Sequence, residues 1–95
     1  MQYNNPRLTN GYGIVSNTVI RDPDLSLRDK AIYAHLCTYA NSQTNELTVG
    51  VSKIAQECGI DESTVKRALE QLEKKGVISR INRGQQKTRL TILLK

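Results

Sequence analysis

Apolar residues recur at helical spacing in three parts of the chain. In VSKIAQECGIDESTVKRALE, residues 51–70, Ile54, Ala55 and Cys58 stand at i, i+1 and i+4, the inward stripe of a short helix over 51–57. Gly59 follows, a residue that leaves a helix through the left-handed region at little steric cost. Ile60 is expected to re-enter the core. Asp61 is placed to cap the next helix, its carboxylate accepting from the orphan N–H groups of the first turn. Val65, Ala68, Leu69 and Leu72 form the apolar face of that second helix, over 62–75. Gly76 ends it, and Lys74 and Lys75 complement the dipole in its last turn. The small residues Ala55 and Ala68 predict a close helix crossing. The third set is Ile32, Tyr33, Leu36, Cys37 and Ala40, on one face of a helix that starts at an N-cap Ser26 and runs to about Ala40. Asp29 occupies the capping-box position of that helix.

The intervening stretches lack this period. Residues 1–10 are polar, carry Pro6, and read as a flexible arm before a domain over 11–95. Gly11-Tyr12-Gly13 breaks any helix. A short strand is expected over 13–16 and a turn or single helical turn over 17–21, with Val15, Val19 and Ile20 docking on the core. Asp22-Pro23-Asp24 is a turn signal. NSQTNE, residues 41–46, is a polar loop, and Leu47-Thr48-Val49 supplies a short strand, with Thr48 or Gly50 starting the next helix. Residues 77–82 alternate, Val77, Ser79 and Ile81 against Ile78, Arg80 and Asn82. A Gly84-bearing basic loop over 83–87 and a β-branched, apolar stretch over 88–94 complete a hairpin. The predicted architecture is α+β, mainly α: three helices followed by a C-terminal β-hairpin.

Ninety-five residues allow one small domain. No apolar run approaches the ~20 residues of a membrane-spanning helix. Met1 leads into polar residues rather than a basic-then-apolar leader, so a cytoplasmic location is expected. Cys37 and Cys58 lie on inward helix positions and read as buried free thiols. One histidine and two scattered cysteines make no metal site, so no metal, cofactor or small-molecule ligand is expected. His35 reads as a solvated helix histidine. The acids are dispersed over helix surfaces without a carboxylate cluster or activated nucleophile, which argues against an enzyme.

Charge changes the picture more. Residues 1–65 carry five Lys/Arg and seven Asp/Glu, a balance of −2. Residues 66–95 carry nine and two, a balance of +7 that makes up the net charge of +5. A one-sided basic half is the electrostatic footprint of a polyanionic partner.

The spacing of Ala55, Gly59, Ile60, Val65 and Ala68 resembles the helix-turn-helix of bacterial DNA-binding proteins, and the hairpin behind it stands where a winged helix carries its wing. More of the chain is similar to one group of such proteins. LSLRDKAIYAHLCTYAN and VSKIAQECGIDESTVKRALEQLEKKGVISR resemble the N-terminal winged helix of plasmid and phage replication initiators and replisome organisers. Leu25-Ser26, Tyr33, Ser63-Thr64-Val65 and Leu72-Glu73-Lys74-Lys75-Gly76-Val77-Ile78 stand at the matching places. The resemblance covers about residues 14–94, and many transcription regulators share its second half. Full initiators continue into a further domain, whereas this sequence stops at Lys95. A piece of a longer initiator and a small standalone binder from a mobile element both fit.

The resemblance implies sequence-specific binding of double-stranded DNA, in replication initiation or transcription control, by homodimers on repeated half-sites. Its recognition helix would enter the major groove. The outward positions there are Asp61, Glu62, Ser63, Lys66, Arg67 and Glu70. Ser63 and Thr64 suit phosphates or bases near the helix start. Lys66 and Arg67 are the candidates one turn on, and Arg67 suits guanine O6 and N7. Glu62 and Glu70 either accept from a cytosine amino group or repel non-specific DNA. Ser52, Lys53 and Gln56 of the preceding helix face the backbone. The wing offers Arg80, Arg83, Gln85, Gln86, Lys87 and Arg89 for phosphate or minor-groove contact. The alternative is a protein–protein interaction or oligomerisation module, with the apolar strand 90–94 pairing to another chain.

Overall fold

The apolar stripes assemble against one another in the computed structural model, which describes residues 6–84 and 88–95. A 3-10 turn, Pro6–Leu8, precedes α1 (Asn17–Ile20), α2 (Leu27–Cys37), β1 (Glu46–Leu47), α3 (Val51–Cys58), α4 (Glu62–Lys74), β2 (Ile78–Ile81) and β3 (Leu90–Leu93). The three strands form an antiparallel sheet in the order β1-β3-β2. Ser79 pairs with Ile92, and Ile92 with Glu46 on its other side. The fold is a winged helix-turn-helix, with one single-turn helix, α1, beyond the three that periodicity predicts.

The core lies where α2, α3, α4 and the sheet converge. Ile32, Tyr33 and Leu36 of α2 meet Ile54 and Ala55 of α3 and Val65, Ala68, Leu69 and Leu72 of α4, with Leu47, Val77 and Ile78 from the strand side. Both predicted caps form. Ser26 Oγ accepts from the Asp29 N–H at 3.1 Å, and Asp61 Oδ1 accepts from the Thr64 N–H at 3.3 Å.

The exit from α4 sets the wing. Gly76 sits at φ 73°, and the next N–H, of Val77, reaches back to the Leu72 carbonyl at 2.9 Å. This six-to-one bond is the Schellman closure, and the apolar contact that accompanies it joins two fully buried residues, Leu72 and Val77. The chain is thereby turned straight from the recognition-helix position into β2. The same closure ends α3, where the Ile60 N–H reaches the Ala55 carbonyl at 3.1 Å.

Several expectations need correction. Residues 13–16 form no strand, because the Ser16 N–H is bonded to the Tyr33 hydroxyl at 3.0 Å rather than to a neighbouring strand. Val19 is buried and Ile20 partly so, but Val15 remains exposed. Helix α2 ends at Cys37, where the Thr38 hydroxyl and N–H both turn back to the His35 carbonyl. Ile60 is 36% exposed: Ala55, Val65 and Ala68 already fill the helix crossing, and the turn residue rides on its rim. His35 is not a solvated side chain. Its side chain is 18% exposed, its Nε2 is 2.9 Å from Glu57 Oε1 on α3, and its ring packs on Tyr39 with centroids 5.4 Å apart. The Tyr39 hydroxyl donates to the same Glu57 oxygen, and this bond, ahead of the contact with His35, holds the Glu57 carboxyl below its ordinary range.

The strand 90–94 is not an open edge. β3 is the central strand, flanked by β1 and β2, so its ladder groups are taken up within the chain and the expected pairing with another chain loses its template. Cys37 is buried, Cys58 is half-buried, and both are free thiols. Among the described residues no helix is long and apolar enough to cross a membrane, and no cluster of His, Cys, Asp or Glu could hold a metal.

Candidate nucleic-acid interface

The outward face of α4 is set by the burial of its opposite face. With Val65, Ala68, Leu69 and Leu72 packed inward, helical geometry leaves Glu62, Ser63, Lys66, Arg67 and Glu70 exposed on one surface. Thr64 is half-buried at its edge. Local bonds already commit part of this row. The Ser63 hydroxyl donates to Asp61 Oδ2 at 2.6 Å, and Arg67 Nη2 donates to Thr64 Oγ1 at 3.3 Å. The bonds from Ser63 and then from Thr64 hold the Asp61 carboxyl down at about 2, so the cap is charged at neutral pH. Ser63 therefore offers a partner its oxygen but not its proton, whereas the Lys66 amine makes no ion pair with a described residue.

Ser52 and Lys53 lie exposed in the first turn of α3, whose N-cap Gly50 supplies no side-chain acceptor, and Gln56 is exposed one turn on.

The wing residues divide. Arg83 Nε donates to the Thr88 carbonyl at 2.9 Å and Arg89 Nε to Asn82 Oδ1 at 2.8 Å, so both guanidinium groups brace the wing while remaining on its exposed surface. Gln85, Gln86 and Lys87 lie outside the described residues. Arg80, expected among the contacting side chains, lines the root of the wing and is also paired within the chain. Its side chain is 11% exposed, and Nε and Nη2 both donate to Glu73 Oε1, at 3.2 and 3.0 Å. Residues 73 and 80 are seven apart across the Gly76 turn, a separation that neither helical nor strand periodicity connects.

Between α4, the start of α3 and the root of the wing lies a cleft of about 540 Å³. Leu36, Ile54 and Leu69 form its apolar floor, and Lys66, Glu70, Arg80 and Arg89 stand around it. Sequence reasoning placed Lys66, Arg80 and Arg89 on two separate elements. The structure joins them around one concavity and adds Glu70 to it.

An exposed helix row carrying Lys66 and Arg67, a basic hairpin and a cleft between them, mounted on tightly crossed helices, define a helix-turn-helix domain with a wing. A family model described as "Helix-turn-helix domain" matches residues 24–78, more than half of the chain, and the chain belongs to that family. Two solved structures are similar over 100% of this chain. One, described as "N-Terminal domain of DNA binding protein", is 16% identical over 84% of its own length, with a TM-score of 0.68. The other, described as "Structure of Rep-DNA complex", is 15% identical over 85% of its length, with a TM-score of 0.66. At such identities the likeness is one of fold. No curated protein matches the chain.

Proposed function

We propose that this chain binds double-stranded DNA through α4 and the wing. The observation that carries this reading is the exposed row Ser63, Lys66 and Arg67 on a helix whose opposite face is fully buried. Side chains in the first two turns of such a helix reach base edges when it enters the major groove. Arg67 reads a guanine, and Ser63, Thr64, Ser52 and Lys53 take phosphates. The wing residues Arg83, Lys87 and Arg89 lie along the backbone or in the adjacent minor groove. A fold shared with a protein described in a Rep–DNA complex, and a balance of +7 over residues 66–95, support the same reading. The finer proposal is a homodimer on repeated half-sites, acting in replication initiation or transcription control of a plasmid, phage or other mobile element.

The test is fluorescence anisotropy with a random-pool duplex at graded salt, followed by selection of bound sequences and footprinting. Affinity that falls linearly with log salt is the expected result. Absence of binding at low salt would refute the proposal. Light scattering on the selected duplex reads the number of chains bound.

A further inference from the structure

Arg80 combines features that its ion pair alone does not explain. A guanidinium carries five N–H donors in a fixed fork. Glu73 takes one from Nε and one from Nη2, both through the single oxygen Oε1. Nη1 has no hydrogen-bond partner among the described residues, and Arg80 lines the cleft. Half its fork is thus fixed, and the residue lines the cleft with donors to spare. Lys66 and Arg89 add two more cations around the same concavity, and Arg89 is itself steadied by Asn82. Glu70 is the opposing charge there and makes no ion pair with a described residue.

We propose that the cleft between α4, the start of α3 and the wing root seats one phosphodiester of the bound DNA strand, held by the unpartnered donors of Arg80, with Glu73 as the positioning residue that aims them. This rests on the DNA-binding reading above and specifies where the backbone runs between helix and wing. The chemistry follows from the fork. A phosphate oxygen accepts best from a guanidinium already fixed in orientation, since less side-chain freedom is lost on binding. Lys66 and Arg89 supply flanking charge, and Glu70 weakens the seat.

The arrangement assigns opposite signs to two neighbouring carboxylates. If charge alone mattered, neutralising either one would tighten DNA binding. Here Glu70→Gln removes a repulsion and tightens binding to a mixed-sequence 30-base-pair duplex about two- to fivefold, whereas Glu73→Gln, whose neutral amide oxygen is a weaker acceptor than a carboxylate, loosens the Arg80 fork and weakens binding about threefold or more. Arg80→Ala weakens binding about tenfold and makes the slope of log affinity against log salt shallower by about 0.9, the loss of one phosphate contact. Arg80→Lys keeps the slope but recovers only part of the affinity, because an ammonium cannot serve Glu73 and a phosphate with one planar fork.

Anisotropy titrations from low to moderate salt on the 95-residue chain read all four variants, with thermal melts confirming folding. Should Arg80→Ala not fold, Arg80→Lys and the two glutamate variants carry the comparison. Replacing chloride by inorganic phosphate at fixed ionic strength leaves affinity within about twofold. A phosphate-specific loss that persists unchanged in Arg80→Ala would place the competed anion contact outside the cleft and overturn the assignment. Tighter binding by Glu73→Gln, or an unchanged slope for Arg80→Ala, refutes the phosphate seat while leaving DNA binding intact. Absence of duplex binding by the unmodified chain refutes both.

Discussion

Gly13 is where one methyl group tests how the N-terminal segment is fixed. A Cβ built there meets the Cys37 carbonyl carbon and oxygen and the Thr38 nitrogen, each at 2.8 Å. All three are backbone atoms at the end of α2, so no side-chain rotation relieves the clash. The same segment is tied down three residues later, where the Ser16 N–H reaches the Tyr33 hydroxyl, which in turn donates to the Lys95 carbonyl at 3.0 Å. The segment cannot shift away from α2 without straining that bond. Gly13 is not in the left-handed region, so alanine gains about 0.4–1 kcal/mol by restricting the unfolded chain. Overpacking against a rigid wall costs about 1–3 kcal/mol. The net expectation for Gly13→Ala is a loss of about 1–2 kcal/mol, or a fall in melting temperature of about 4–16 °C for a domain of this size. The assay is thermal and urea denaturation followed by circular dichroism. A backbone amide spectrum should place the perturbed resonances in residues 11–16 and 37–38. A variant that melts at or above the parent temperature would refute the close seating of this segment on α2.

Other outcomes follow from the same structure. Arg67→Ala should weaken binding to a selected DNA site by about 1–3 kcal/mol and relax preference at one or two base pairs, read by competition with single-base variants of that site. Ala55→Leu should lose about 1–3 kcal/mol in urea denaturation, because Ala55 is buried at the crossing of α3 and α4; an unchanged midpoint would place the crossing elsewhere. The Asp61 cap has a folded pKa of about 2, below the ordinary carboxylate value, so its stabilising contribution is complete above about pH 4 and fades as pH falls towards 2. The gap in melting temperature between the parent and Asp61→Ala should therefore narrow across that window, while Asp61→Asn, which caps without titrating, shows no such trend. Replacing Arg83 and Lys87 together by Ala should weaken cognate and scrambled duplexes by similar factors and make the salt slope shallower by about 2. A loss confined to the cognate duplex would instead make the wing a reader of sequence or groove width.

The helices were legible because local period decides them. Val65, Ala68, Leu69 and Leu72 can share one face only on a helix, and Asp61 and Gly76 bound it by chemistry that acts over three or four residues. With the buried face fixed, the outward row of α4 follows from geometry alone. The hairpin was legible for the same reason, since alternation and a Gly-bearing loop are local signals. What lay beyond sequence were contacts between elements that no period links. His35 looked solvated from within α2, because the C-terminal turn of α3 that supplies Glu57 arrives 22 residues later. Ile60 looked inward by hydrophobicity, yet the small residues around it leave no space for it at the crossing. The strand 90–94 looked like an edge until two-residue β1 took up its far side. The pairing of Arg80 with Glu73 was not legible either, because only the turn at Gly76 brings the two together. Local propensity and periodicity specify elements and their faces; which charges are spent within the fold and which face a partner is decided where those elements meet, because side chains at large sequence separation share a dielectric and a volume only in the folded chain.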